Sequence, residues 1–201
     1  MIRGDVIEAL ARWRNGAASI SGPGTISRLL WSAGHEDASI YQMDMGYATS
    51  MALGLALARP NQRVVSVEGD GSIIAAMSVF STVARYQPRN LLILIIDNGS
   101  FASAGDGSIK TGSSFGTDIA MVACGCGIDE THVVVVKDEV QSEAALQRAC
   151  TEDGPWVVVA KVDDSDRRVM QGAKSRGAIP FDVVETVINF RREMARRDAS
   201  T

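Results

Sequence analysis

The fold of this chain is decided by residues 69–101, which read GDGSIIAAMSVFSTVARYQPRNLLILIIDNGSF. Within them, residues 91–96 are apolar on both faces, a pattern typical of a central strand in a parallel sheet. The residues before this run predict a helix that ends near Tyr86, and the residues before the helix predict a strand over Arg63–Val67. The stretch therefore predicts two parallel strands joined by a helix.

The same alternation of short β-branched runs and helical patterns continues on both sides. Helices are predicted over 2–14, 26–33, 46–58, 118–124, 140–150 and 181–197, and strands over 18–21, 39–41, 133–136 and 156–162. Repeated β-α-β steps predict an α/β fold, a single parallel-sheet domain with helices on both faces. We expect that domain to span 1–165, and a linker and C-terminal helix to occupy 166–201.

The composition is that of an ordinary globular protein. The 201 residues are 46% hydrophobic and 22% charged, with a net charge of -4. A nucleic-acid-binding surface usually shows a basic excess, which this chain lacks. No apolar run reaches the roughly 18 residues expected of a membrane span. Three cysteines, an odd number with no secretion signal, indicate a reducing cytoplasm. We expect a cytoplasmic protein that binds neither nucleic acid nor membrane.

Polar clusters follow two of the predicted strands, at the edge of a parallel sheet where ligands bind. Asp70 follows one strand and Asn98 the other, and their separation of 28 positions suits one β-α-β crossover. Asp70 offers an anionic oxygen and Asn98 a neutral one, and the amides of Gly71 and Ser72 at a helix start favour an anion. Because Mg2+ is usually held by few protein ligands together with phosphates, the edge predicts a magnesium and diphosphate site.

A dinucleotide-binding domain is an alternative interpretation of the same glycines. Gly69 and Gly71 begin the fingerprint of such domains, and Asp97 is then a candidate ribose ligand. The fingerprint fails at its third position, because Ile74 stands where a small residue is needed for close packing. Asp70 would also repel a pyrophosphate bound without a metal. The sequence therefore disfavours the dinucleotide interpretation.

The GDGS segment at residue 69, followed after about 25 residues by Asp-Asn, resembles the motif of thiamine-diphosphate-dependent decarboxylases and synthases. The likeness extends to MDMGYA at 43–48 and to TGSSFGTDIAMVACGCGI at 111–128, and it covers most of the chain from Ser19 to Val162. These segments resemble the sulfopyruvate decarboxylase β subunit and the C-terminal domain of phosphonopyruvate decarboxylase. The resemblance implies thiamine diphosphate and Mg2+ as cofactors.

The resemblance also implies roles for individual residues. Asp70, Asn98 and the backbone oxygen of Ser100 are expected to bind Mg2+. Gly71, Ser72 and the turn at residues 21–24 are expected to cradle the diphosphate, and Met45 to wedge the cofactor into its bent shape. The expected cofactor-binding residues are Gly22, Gly24, Met45, Gly46, Gly69, Asp70, Gly71, Ser72, Asn98, Ser100, Phe101 and Ala102.

One part of such an enzyme is missing from this sequence. Thiamine enzymes of this type need a glutamate that activates the aminopyrimidine ring, and it belongs to a separate pyrimidine-binding domain that nothing here resembles. We therefore assign no catalytic residue to this chain and expect a partner subunit that carries the glutamate, hence a hetero-oligomer. Asp44, beside Met45, is the nearest internal alternative.

The resemblance implies decarboxylation of a small 2-oxo acid that is similar to sulfopyruvate or phosphonopyruvate. Lys110 is a candidate contact for the second anionic group of such a substrate, and a solvated lysine is the alternative. Where many relatives have Tyr-Gly after the asparagine, this chain has Phe101 and Ala102. Carboligation by a synthase subunit stays open, since both reactions begin with the same steps. A non-catalytic regulatory subunit is disfavoured, because a structural domain has no need of Asp70 and Asn98 on one edge.

Overall fold

The computed structural model describes residues 1–101, 108–163, 179 and 182–199. The strands are β1 (Ala18–Ser21), β2 (Ser39–Ile40), β3 (Val64–Gly69), β4 (Leu91–Asp97), β5 (Val133–Val136) and β6 (Trp156–Lys161). The helices are α1 (Arg3–Trp13), α2 (Thr25–Ala33), α3 (Tyr47–Ala58), α4 (Asp70–Ile74), α5 (Val79–Tyr86), α6 (Ile119–Gly125), α7 (Glu139–Thr151) and α8 (Val183–Asp198). Short 3-10 helices cover Gly112–Phe115 and Glu130–His132.

The six described strands form one sheet in the order β2-β1-β3-β4-β6-β5. Every neighbouring pair is parallel, as the repeated β-α-β steps predict. β3 and β4 lie at the centre and pair over six residues, from Val64 opposite Leu91 to Gly69 opposite Ile96. Asp70 and Asp97 therefore follow at the same level, on the carboxyl edge of the sheet.

The core has two halves, one on each face of the sheet, and β4 contributes to both. Leu91, Ile93 and Ile95 belong to the half covered by α3, α5, α6 and α8. The alternate residues of the strand belong to the half covered by α1, α2 and α7. Because side chains alternate along a strand, a run without polar residues is what a sheet with helices on both faces requires. The predicted fold is confirmed.

α8 closes one end of the sheet. Its side chains Phe190 and Met194 are buried in the core, and the Thr186 hydroxyl accepts a hydrogen bond from the Tyr41 amide after β2 at 3.4 Å. Most of the predicted linker lies outside the described residues, so the division of the chain at 165 stays a prediction. Among the helices that the structure describes, none combines the length and the apolar character that a membrane span requires.

The predicted single helix after β3 is wrong, because the structure has two. α4 ends at Ile74 and α5 begins at Val79. Between them the amide of Ala76 donates to Ile73 and that of Val79 to Ala76, so the chain tightens into three-residue turns. Gly46, with φ of 82°, approaches this segment so closely that a Cβ atom there would lie 2.9 Å from the Ala76 Cβ. The break lets the loop before α3 pack directly against the chain after α4.

Candidate cofactor site

Asp70 is the first residue of α4 and is nearly buried, with 2% of its surface exposed. The Thr111 hydroxyl donates a hydrogen bond to its Oδ2. Burial raises the pKa of Asp70 above its ordinary value; the Thr111 hydrogen bond lowers it, and the nearby charge of Asp97 raises it. A carboxylate held in this way gains from a bound cation, which relieves the cost of its burial.

Asn98 and Ser100 form a tight turn directly after β4. The Asn98 side-chain amide donates to the Ser100 hydroxyl at 3.2 Å, and the Ser100 amide donates to Asn98 Oδ1 at 3.4 Å. The Phe101 amide donates to the Ile109 carbonyl at 2.8 Å. The Thr111 amide donates to the Gly99 carbonyl at 3.1 Å. Thr111 thus contacts the turn through its backbone amide and Asp70 through its hydroxyl, and so it links the turn to Asp70.

Asp97 anchors the base of that turn. Its carboxylate forms an ion pair with Lys161 at the end of β6 and accepts hydrogen bonds from the Ser113 hydroxyl at 2.6 and 2.8 Å. The Gly99 amide also donates to it, at 3.2 Å. Asp97 therefore ties β4, β6 and the segment after the turn together, and its charge has an internal partner.

Gly71 lies beneath the ring of Phe101. A Cβ atom at position 71 would lie 2.3 Å from the Phe101 Cε1, far inside any permitted contact. Glycine is therefore required here by a close approach, which keeps the backbone at the start of α4 next to the turn after β4.

Glu68, the last side chain of β3 before the glycines, is fully buried and joins two loops of the site. Its Oε1 accepts a hydrogen bond from the Thr49 amide at 2.7 Å, and its Oε2 accepts one from the Ser72 hydroxyl. The Ser72 hydroxyl in turn accepts from the Gly46 amide at 2.9 Å. The Ser72 hydroxyl is therefore engaged with Glu68, while Gly46 is fixed to the start of α4.

Some of these residues border one cleft at the carboxyl edge of the sheet. It is lined by Arg3, Pro23, Thr25, Ile26, Met45, Gly69, Asp70, Gly71, Ser72, Ile96, Asn98, Ser100 and Phe101. Eight of the twelve predicted residues thus come together here. Gly22, Gly24 and Gly46 are not part of the lining: the Gly24 amide, for example, donates to the Gln42 side chain at 2.8 Å. Ala102 lies outside the described residues.

The oxygen donors of this cleft fit a magnesium ion together with a phosphate ligand. Asp70, Asn98 and the Ser100 backbone supply hard oxygens, and Mg2+ takes six oxygens at roughly 2.0–2.1 Å. In the described part of the chain, no group of three His, Cys, Asp or Glu side chains could hold a metal by itself. A metal here therefore needs oxygens from a ligand, which a diphosphate provides.

Three residues of this region escaped the sequence analysis. Glu68 stands between the predicted strand, which ends at Val67, and the GDGS motif, and an acidic residue at that point is a signal that was available. Arg3 begins the first helix, and Thr111 begins the segment 111–128 that shares in the resemblance, but the sequence assigned a role to neither. Their proximity to Asp70 depends on how α1 and that segment return to the sheet edge, which local sequence does not encode.

Comparison with known proteins identifies relatives of this chain. Residues 27–160 match the family described as "Thiamine pyrophosphate enzyme, C-terminal TPP binding domain". The chain is 29% identical over 170 residues to the sulfopyruvate decarboxylase subunit beta of Methanococcus maripaludis, which covers 84% of this chain and 88% of that subunit. It is 36% identical over 150 residues to the phosphonopyruvate decarboxylase of Streptomyces viridochromogenes, covering 74% of this chain and 36% of that protein.

A solved structure shows the same fold. A thiamin diphosphate-dependent enzyme from Mycobacterium smegmatis superposes with a TM-score of 0.66 at 22% identity, over 81% of this chain and 32% of that one. The family match spans most of the sheet, from α2 to the end of β6, and includes Asp70 and Asn98. The chain therefore belongs to the thiamine pyrophosphate enzymes, as a C-terminal TPP binding domain.

Proposed function

We propose that this chain is the diphosphate- and Mg2+-binding subunit of a two-chain enzyme that decarboxylates a small 2-oxo acid. The observation that carries the proposal is the cleft at the ends of β3 and β4, where Asp70, Asn98 and Ser100 lie together in a chain of this family. In the proposed site these three residues hold Mg2+. The backbone at Gly71 and Ser72 contacts the diphosphate.

The cofactor, when bound, supplies an electron sink for the electron pair that stays on the substrate when carbon dioxide leaves. The task of this chain is to hold and shape it. Met45 is 44% exposed and forms part of the cleft lining, which suits the proposed role of an apolar support for the bent cofactor. Gly46 is fixed to Ser72 by its amide, so Met45 stands at a defined distance from the diphosphate end.

The site on this chain is incomplete, which supports a second chain. The cleft encloses about 120 Å³, less than the roughly 300–1,000 Å³ of a ligand pocket. Among the described residues that line it, Asp70 is the sole acid, and it is assigned to the metal. Asp44 is exposed and does not line the cleft. A partner carrying the activating glutamate completes the proposed enzyme.

The surface where that partner binds is proposed to be the outer side of α3, next to Met45. Tyr47 is 64% exposed there, and Met51 and Leu57 are exposed as well. Large apolar side chains exposed along one helix beside a binding cleft are typical of a protein interface.

An enzyme of this kind suits a reducing compartment such as the cytoplasm, and all three cysteines are free thiols.

For the substrate we propose a 2-oxo acid with a second anionic group. The support comes from the relatives, which are named for decarboxylation of sulfopyruvate and phosphonopyruvate. Lys110 is exposed and pairs through its backbone with Ser100, so it stands beside the proposed metal site. It is the proposed contact for the distal anion.

The test compares this chain alone with the complex that a tag on this chain co-purifies. With thiamine diphosphate and Mg2+, we expect carbon dioxide release from sulfopyruvate or phosphonopyruvate by the complex and none by the single chain. Asp44→Asn is the matched control and should leave the complex active. Robust turnover by the single chain that Asp44→Asn abolishes contradicts the two-chain proposal. A 2-hydroxy ketone product in place of an aldehyde assigns the chain to the synthases.

A further inference from the structure

Arg3 is a buried arginine at the edge of the sheet where the proposed site lies. Only 5% of its surface is exposed, although it stands in the first turn of α1. The Asp163 amide, just beyond β6, donates to the Met1 carbonyl at 3.0 Å. The start of α1 is thereby held at the carboxyl edge, and Arg3 lines the same cleft as Asp70, Gly71 and Asn98.

The three arginines at or near α1 occupy three kinds of environment. Arg12 is on the surface and forms an ion pair with Glu143. Arg14 is buried, but its guanidinium donates to Ser19 Oγ at 3.1 Å and pairs with Glu36 at 3.2 Å, so it fastens the helix end to the sheet. Arg3 is the one of these three that faces the cleft.

The charges around the cleft indicate which kind of ligand Arg3 would bind. Burial lowers its pKa, and the charge of Asp70, which lines the same cleft, raises it. Among the described residues lining the cleft, Arg3 is the only cation and Asp70 the only anion. A diphosphate brings more negative charge than Mg2+ cancels once the charge of Asp70 is included. The cleft therefore needs a second positive charge when the cofactor is bound.

We propose that Arg3 binds the diphosphate of the cofactor and supplies that positive charge. The inference rests on the proposed assignment of this cleft to the diphosphate. A guanidinium presents several N–H donors in a rigid plane that matches phosphate oxygens, which a backbone amide or a single ammonium does not. Arg3 lines the cleft together with Asp70, Gly71 and Ser72, the residues assigned to the metal and the diphosphate.

The test is calorimetry of the purified complex at fixed Mg2+, with thiamine diphosphate and thiamine monophosphate as ligands. Arg3→Met keeps the length of the side chain without its charge. We expect it to raise the dissociation constant of thiamine diphosphate on the order of 10- to 100-fold, the usual effect of losing a charged hydrogen bond. The preference for the diphosphate over the monophosphate should shrink. Arg3→Lys should retain part of the affinity.

Arg12→Met, on the same helix, is the matched control and should bind both ligands as the parent does. Thermal unfolding without cofactor shows whether each variant is folded. If Arg3→Met loses its cooperative transition, Arg3→Gln takes its place in the comparison with Arg3→Lys. A folded, uncharged variant with both dissociation constants within about twofold of the parent values overturns the role of Arg3 alone. Failure of the parent complex to bind thiamine diphosphate overturns the cleft assignment, and the role of Arg3 with it.

Discussion

Asp70 and Asp97 end neighbouring strands at the same level of the sheet, yet their surroundings differ. Both are nearly buried, at 2% and 3% exposure. Asp97 has an ion pair with Lys161 and hydrogen bonds from Ser113 and Gly99. Asp70 has the Thr111 hydroxyl. No lysine, arginine or histidine in the described residues lies within ion-pair distance of it.

The difference supports a structural role for Asp97 and the proposed binding role for Asp70. A buried charge that has an oppositely charged partner in the protein holds the surrounding segments together, and removing either partner lowers the free energy of unfolding. A buried charge without such a partner costs free energy in the folded protein, as the raised pKa of Asp70 indicates. An exogenous cation offsets that cost. We therefore propose that Asp97 serves the fold and that Asp70 serves the ligand.

The largest expected effect is that of Asp70→Asn. The substitution keeps the shape of the side chain and the Thr111 hydroxyl as a donor, but it removes the anionic oxygen proposed to bind Mg2+. We expect affinity for thiamine diphosphate in the presence of Mg2+ to fall at least ~100-fold, more than for a residue that only orients a metal ligand. Titration calorimetry of the complex measures it. An affinity equal to that of the parent would show that Asp70 is not a metal ligand.

The same variant tests the stability side of the comparison. The folded pKa of Asp70 is raised above the ordinary value of 3.8, so the folded state binds this proton more tightly than the unfolded state. The parent therefore loses stability as pH rises from about 3.8 through the folded pKa, and Asp70→Asn does not. The measurement is the melting temperature of Asp70→Asn minus that of the parent, without cofactor. This difference should be more positive at pH 7 than at pH 4. A relative decrease would mean that the charge of Asp70 stabilises the fold.

Compared with Asp70→Asn, Asp97→Asn should reduce stability more and cofactor affinity less. It leaves Lys161 without its carboxylate and weakens the anchoring of the turn at Asn98. Because Lys161 is partly exposed, solvent screens some of the loss, and we expect a decrease in unfolding free energy of about 1–2 kcal/mol. Cofactor affinity should fall ~10-fold, as for residues that orient ligands indirectly. Denaturant unfolding and calorimetry separate the two effects, and unchanged stability would contradict a structural role.

Thr111→Val should give the smallest effect. It replaces the hydroxyl that donates to Asp70 with a methyl group of similar size. Loss of one such hydrogen bond should cost about 1 kcal/mol of Mg2+-dependent cofactor binding, or ~5-fold in affinity. The metal dependence of cofactor binding, followed by calorimetry, measures it. Thr111→Ser keeps the donor and serves as the control; equal losses in both variants would point to packing instead of the hydroxyl.

Sequence alone predicted the sheet because its signal is local and repeated. The apolar run of β4 is buried on both faces, and β5 lies at the predicted residues 133–136. The helix after β3 was mispredicted for a non-local reason. Nothing between Ile74 and Val79 breaks a helix by composition, and the interruption accompanies the close approach of Gly46 to Ala76.

The site was predictable where the motif and the strand order coincide. Asp70 and Asn98 follow paired central strands, so a correct strand order brings them to one edge. Gly22 and Gly24 lie near the cleft but outside its lining, because the turn presents Pro23 and Thr25 instead. Which residues of a turn face a ligand depends on backbone angles that a short motif does not specify.

The hydrogen bonds of Glu68 have a consequence for positional precision. Gly46 and Thr49 belong to the segment that presents Met45, and Ser72 belongs to the segment proposed to contact the diphosphate. Thr49 and Ser72 donate to the Glu68 carboxylate, which extends from β3 in the centre of the sheet, and Gly46 is joined to it through the Ser72 hydroxyl. We therefore expect thermal displacements of the two segments to be correlated, so that their separation varies less than the position of either segment relative to the rest of the chain. In the proposed site, the supports for the two ends of the cofactor are thus fixed to the same side chain.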